Sequence, residues 1–374
     1  MRSSTHRRAA AFAATLLAAA SSVLPATPAS ASIDEDAIFF ASAGTDQVVV
    51  LAGGERTSVT AFPTAKVLAG HFTSAAGAQA FLYNPGSAPD GLLDVVRDGE
   101  GLKTQLTSAP VAGRFEPFVA DLDRDGRDDI FWYAPGTARD YVWFFEANGS
   151  VTSVPMTVDL VAQPVPVLVQ GINDKPERQG ILWYGAGSRP DAWWMFHGRN
   201  AVKERASIAG NYRVVAPAFN ASGLGTSQQQ VVFYDPTGAN RNSIWTYSKG
   251  TGDHTSSPLP TPGKGYTPVI TKAGMHGSDY LYWYGPGPNP EKIWFPQGTK
   301  IQSGTMPAIN GTYRILRDPE GRSGAEELIM MGDGTARTMQ LAPEHSPLLG
   351  TVTPITGLPM SYAGASTWFE QPVD

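Results

Sequence analysis

Apolar residues in this chain fall in short runs closed by Gly, Pro, Asn or Asp, and the runs recur. One segment reads Phe131-Trp132-Tyr133-Ala134-Pro135-Gly136, and its relatives are Phe81-Leu82-Tyr83-Asn84-Pro85-Gly86, Leu182-Trp183-Tyr184-Gly185-Ala186-Gly187 and Tyr282-Trp283-Tyr284-Gly285-Pro286-Gly287. Val232-Phe233-Tyr234, running into Gly238, belongs with them, and weaker copies run into Gly44 and Gly334. The seven anchor glycines, at 44, 86, 136, 187, 238, 287 and 334, are 42, 50, 51, 51, 49 and 47 residues apart. Seven residues past the anchor stands Leu93, Trp143, Trp194, Trp245 or Trp294, and twenty-one before it stands Phe115, Tyr266 or Tyr313. A period near 50 built from short strand-like runs predicts propeller blades. The third copy divides into runs at 117–120, 130–133, 141–146 and 151–156, with Pro135-Gly136 and Asn148-Gly149 as turns. We therefore expect an all-β fold, a seven-bladed β-propeller of four-stranded blades filling residues 32–374. The first copy lacks the run before its anchor, while residues 358–369 trail the seventh. That tail is expected to pair with the N-terminal blade, close the ring and remove the open sheet edges.

Composition agrees with this and narrows the setting. The chain has 374 residues, 42% hydrophobic and 17% charged, too apolar for disorder and too uncharged for a long coiled coil. Residues 1–31 read as a secretory signal peptide: Arg2, Arg7 and Arg8 precede an apolar stretch from Ala9 to Ala20, and Ala29-Ser30-Ala31 offers a cleavage site. The stretch is too short to span a bilayer, so we expect a secreted, extracellular protein with no membrane span. There is no Cys, so neither a lipid anchor nor a disulfide supports it, and stability must come from core size or a metal. Removing the three leader arginines leaves 25 basic against 34 acidic side chains, which gives no footprint for nucleic acid. A monomer is expected.

One loop carries explicit chemistry. In Asp121-Leu122-Asp123-Arg124-Asp125-Gly126-Arg127-Asp128-Asp129, acids alternate at 121, 123 and 125, Gly126 allows a sharp turn, and Asp129 returns at the ninth position. A hard cation needs six or more oxygens, and this spacing can wrap Asp121, Asp123, Asp125, Asp129 and the Arg127 carbonyl around one Ca²⁺. The twelfth position, where an EF-hand places its Glu, is Trp132, so the loop is read as lying between two strands. The competing reading is a solvated acidic turn.

Asp-x-Asp-x-Asp-Gly-x-x-Asp followed by an apolar strand and Ala-Pro-Gly resembles the FG-GAP/VCBS repeat family. That resemblance implies a seven-bladed propeller like those of integrin α-chain heads and lectin-like secreted bacterial proteins. It implies extracellular binding of glycans or proteins, and calcium at the third copy alone. Elsewhere the loop has degenerated: Gly171-Ile172-Asn173-Asp174-Lys175 keeps one acid, Asn220-Ala221-Ser222-Gly223 none, and Asp318-Pro319-Glu320-Gly321 two without the alternation.

Four residues past the anchor stands Asp90, Asp140, Asp191, Asn242 or Glu291, always at one end of its copy. These are either turn acceptors for nearby backbone N–H groups or a ring of acceptors near aromatic edges, the combination that grips sugars. On the second reading the ligand-binding residues are Asp140, Tyr141, Asp191, Trp193, Asn242 and Glu291, with Trp193 facing away from its buried neighbour Trp194. No catalytic motif appears: none of the six His has metal-ligand spacing, and no G-x-S-x-G elbow or P-loop is present. The expected function is a secreted, calcium-binding, non-catalytic module that docks on an extracellular glycan, lectin-like, or on a protein surface. The alternative is a polysaccharide-active hydrolase or lyase using the propeller funnel.

Overall fold

The turn-bounded runs fold as antiparallel strands. The computed structural model describes residues 37–42, 47–52, 55–61, 66–73, 78–98, 101–169, 178–217, 230–247, 254–272, 279–297, 300–318, 327–332, 335–341, 349–355 and 362–366. The expected signal peptide, and the degenerate loops at 171–175, 220–223 and 319–321, lie outside these residues. The described residues form seven four-stranded sheets, six of them covering 66–108, 116–156, 163–206, 213–258, 267–308 and 314–355 in chain order. The remaining sheet joins Ala37–Ser42, Gln47–Ala52 and Glu55–Thr60 to Tyr362–Ser366, which pairs antiparallel with Ala37–Ser42 from Ile38↔Ser366 to Ser42↔Tyr362. The fold is an all-β propeller with four-stranded blades.

The third blade shows why. Its strands are Glu116–Ala120, Asp129–Tyr133, Asp140–Phe145 and Val151–Met156, each within two residues of its predicted run. Gly136 and Gly149 take φ of 100° and 78°, the left-handed values those turns require. The second strand is buried at all five positions, because both faces of a blade meet another blade. Six apolar clusters each straddle two consecutive sheets, from Phe39 with Leu82 at the first pair to Tyr284 with Leu328 at the last. First strands of neighbouring blades lie against one another, as Lys66–Gly70 does against Glu116–Ala120 and Arg314–Asp318 against Tyr362–Ser366. Loops joining first to second and third to fourth strands therefore share one end of the molecule. The Pro-Gly turns and the links between blades occupy the other.

A tyrosine ends the second strand of five blades and stitches each to the link that follows. Tyr83, Tyr133, Tyr184, Tyr234 and Tyr284 donate their hydroxyls to the carbonyls of Gly113, Leu160, Gly210, Gly263 and Gly311, at 2.6–3.1 Å. The same oxygens accept N–H bonds from Phe115, Ala162, Tyr212, Tyr266 and Tyr313 at 2.7–3.1 Å. Burial pushes each of the first four hydroxyls upward, so they stay protonated and able to donate. At Gly210 and Gly311 φ is +127°, and a Cβ would strike the ring of Tyr212 or Tyr313 at 2.6 Å. The aromatics seen in register before three of the anchors, Phe115, Tyr266 and Tyr313, are folded back in this way on Gly113, Gly263 and Gly311.

Candidate metal centre

The acidic loop joins the first and second strands of the third blade, and Asp121 organises it. Its Oδ1 accepts from Asp125 N at 3.2 Å and its Oδ2 from Gly126 N at 3.1 Å, which rolls the loop around the carboxylate. Arg124 and Gly126 supply the left-handed turns, at φ of 63° and 84°. Asp129 returns at the start of the second strand, where Leu122 N donates to Oδ2 at 2.9 Å and Phe145 N to Oδ1 at 3.3 Å.

Three of the expected ligands converge. Asp121, Asp123 and Asp129 each place an oxygen within 4.8 Å of the others, among the described residues. Asp123 Oδ2 accepts from Arg199 Nε at 2.9 Å, while its Oδ1 is buried without a hydrogen-bond partner. Asp125 does not join them. Its carboxylate accepts Arg127 N at 2.9 Å and pairs with the Arg127 guanidinium, because Gly126 folds the arginine back over it. Arg127 also donates Nε to Phe145 O at 3.0 Å. Asp128 turns away to the preceding blade, accepting His71 N at 2.8 Å while its own N–H donates to His71 O at 2.9 Å. Gly70 makes room for it, since a Cβ there would lie 3.0 Å from Asp128 Oδ2.

The electrostatics follow from crowding. Burial, then the carboxylate of Asp123 and further down that of Asp121, pushes Asp129 up to about 9 against its two N–H donors. Burial, with Asp128 and Asp125 adding to it, pushes Asp121 up to about 6. A divalent cation among these carboxylates would reverse both shifts.

The expected saccharide residues have a different occupation. Asp140 is fully buried, and accepts Ala134 N on Oδ1 and Val158 N on Oδ2, both at 2.8 Å. Asp191 does the same with Gly185 and Ile208, both at 2.7 Å, and Glu291 with Gly285 and Ile309 at 2.6 and 3.1 Å. Asp90 holds Asn84 and Val111 in the same way. Each acid staples the turn after the second strand to the link leaving the fourth strand. Asn242 is the informative exception. Its Oδ1 accepts Asp235 N at 2.9 Å, but the link residue is Pro260, which has no N–H, so the amide Nδ2 donates to Pro260 O at 3.2 Å instead. Trp193 packs between the fourth and fifth blades and Tyr141 between the second and third, edge-on to Phe115 at 6.4 Å. The acceptor ring is thus corrected to a set of structural staples, because main-chain donors already take both oxygens of each acid.

Sequence reasoning missed Arg199 and the tyrosine stitches. The signal for the tyrosines was present, as the last apolar residue before five of the anchors. Arg199 lies 76 residues from Asp123, and nothing in its local sequence points there.

No family model matches the chain, and no curated protein matches it. Solved structures do. A Lactobacillus plantarum protein superposes with a TM-score of 0.54 at 11% identity, over 89% of this chain and 100% of its own. A Bacteroides uniformis protein provisionally assigned as a 6-phosphogluconolactonase gives 0.57 at 14%, over 89% and 100%. Apo AztD from Citrobacter koseri gives 0.51 at 11%, over 89% and 98%. At such identities the likeness bears on the fold alone, and the fold it bears on is the β-propeller.

Proposed function

We propose that this chain is an exported, seven-bladed, closed β-propeller of the FG-GAP/VCBS kind, acting as a non-catalytic binding module with one Ca²⁺ in its third blade. The observations that carry the metal are the convergence of Asp121, Asp123 and Asp129 and the buried Asp123 Oδ1, which has no hydrogen-bond partner. Carboxylates at this spacing suit a hard cation, with the Arg127 carbonyl and water completing the shell. The ion's part is structural: it neutralises the loop and locks the first strand of the blade to the second. Binding to the folded form alone adds about 2.7 kcal/mol at a hundredfold excess over the dissociation constant. Calcium should raise the melting temperature and chelation lower it, and Asp123→Ala should lose the response. Identical melting of wild type with calcium and with chelator would remove the metal from this proposal. Both raised carboxylates must release their protons to solvent as the ion binds, so affinity should fall as pH drops from about 9 towards 6.

For the partner, protein docking takes precedence over sugar, since the turn acids are spent on backbone. A glycan array, run beside a screen for polysaccharide breakdown, tests this. Retention on a defined saccharide would restore the lectin-like reading, and turnover would favour the hydrolase or lyase.

A further inference from the structure

Arg199 stands in the turn between the third and fourth strands of the fourth blade, after His197 and Gly198. Its guanidinium crosses to the third blade and forks. Nε donates to Asp123 Oδ2 at 2.9 Å, and a terminal nitrogen pairs with Glu146 Oε1 at 2.7 Å. The flat group also lies 5.1 Å over the Phe144 ring. Glu146 does not belong to the converging trio, so the guanidinium bridges one member of the cluster to a carboxylate outside it.

We propose that Arg199 is the positioning residue of the calcium loop, supplied by the neighbouring blade. This rests on the calcium reading above. By holding one oxygen of Asp123, the guanidinium fixes the carboxylate plane and leaves Oδ1 for the ion. Outer partners of this kind orient metal ligands, and their loss commonly weakens binding about 10–100-fold. Arg199 also sets charge. Its guanidinium is shared between Asp123 and Glu146, and removing it leaves the surroundings of the trio one unit more negative. The same contact makes ion binding depend on how the third and fourth blades pack. On the other side Asp128 and His71 tie the loop to the second blade, so occupancy is felt across three consecutive blades.

The test is calorimetric titration of the folded full-length protein with Ca²⁺ and, separately, Tb³⁺. Wild type should bind one Ca²⁺, and Asp129→Asn, which leaves the Arg199 contacts in place, should not. Arg199→Ala should bind Ca²⁺ at least tenfold more weakly, with Arg199→Lys between the two. Its preference for Tb³⁺ over Ca²⁺ should rise, because a site with one more negative charge suits a trivalent ion better. General destabilisation would not change that ratio, and melting of the ion-free proteins separates it from the binding effect. If wild type binds Ca²⁺ and Arg199→Ala binds it as tightly or more tightly, Arg199 has no positioning role and the calcium reading stands. If wild type binds no Ca²⁺, both fall together.

Discussion

A buried carboxylate is tolerated when its lone pairs are in use, and the turn acids of this propeller use both oxygens. Asp191→Ala would leave the N–H groups of Gly185 and Ile208 buried and unpaired. At 1–3 kcal/mol for each stranded donor, the variant should lose about 2–6 kcal/mol in a denaturant titration. A loss below about 1 kcal/mol would mean that water replaces the staple. Glu291 adds a pH signature. Burial pushes it up to about 7 from an ordinary value of 4.5, against the N–H groups of Gly285 and Ile309. The folded state then binds more protons than the unfolded chain between these values, so stability falls as pH rises from about 4.5 to about 7. Wild type should lose more stability between pH 5 and pH 8 in urea melts than Glu291→Gln does. Equal losses would rule this group out as a source of pH dependence.

At the scale of elements, the sequence was most legible where covalent geometry decides the outcome. Pro135-Gly136 and Asn148-Gly149 end strands whatever surrounds them, so the third blade was bounded to within two residues. The acidic loop was legible as a cluster but not in its membership. Asp125 fits the alternation, yet Arg127 two positions on claims it, and alternation alone cannot report that competition. The turn acids were legible as repeated acceptors, while their partners were not, since backbone N–H groups leave no mark on residue identity. One mark did exist: the blade with Pro260 on its link is the blade carrying Asn242. Asn242→Asp should therefore destabilise this blade, because a carboxylate would face the Pro260 carbonyl with no proton to offer. We expect Asp at this position to cost about 1–3 kcal/mol in a thermal or denaturant melt. A neutral result would show that the Pro260 contact contributes nothing. Tyr184→Phe, which removes both bonds of one stitch, should cost about 1–3 kcal/mol on the same principle.

For the whole molecule, the seven sheets are joined by apolar clusters that each belong to two of them, so among the described residues no blade holds a core of its own. Truncation before Tyr362 tests how far this extends. It removes one strand of the first sheet and, with it, the neighbour of both Lys66–Gly70 and Arg314–Asp318. We expect the truncated chain to melt at markedly lower temperature and over a broader range than wild type, followed by circular dichroism at strand wavelengths. An unchanged, equally sharp transition would show that the last strand is dispensable.

The pairing of Ile38 with Ser366 has a consequence for how the protein comes into being. Nearly the whole chain must be made before the N-terminal strand meets its neighbour, and this is the costliest kind of contact to form because the loop it closes is so long. Until then Ala37–Ser42, with Phe39 and Phe40 at its centre, has one unsatisfied edge in a nascent chain. Maturation should accordingly end in a slow step whose rate is set by the C-terminus. A circular permutant that links Tyr362–Ser366 directly to Ala37–Ser42 and opens the chain between two other blades would make this pairing local. It should reach the native state faster, and aggregate less on dilution from urea, without any change in the strand pairings of the folded protein.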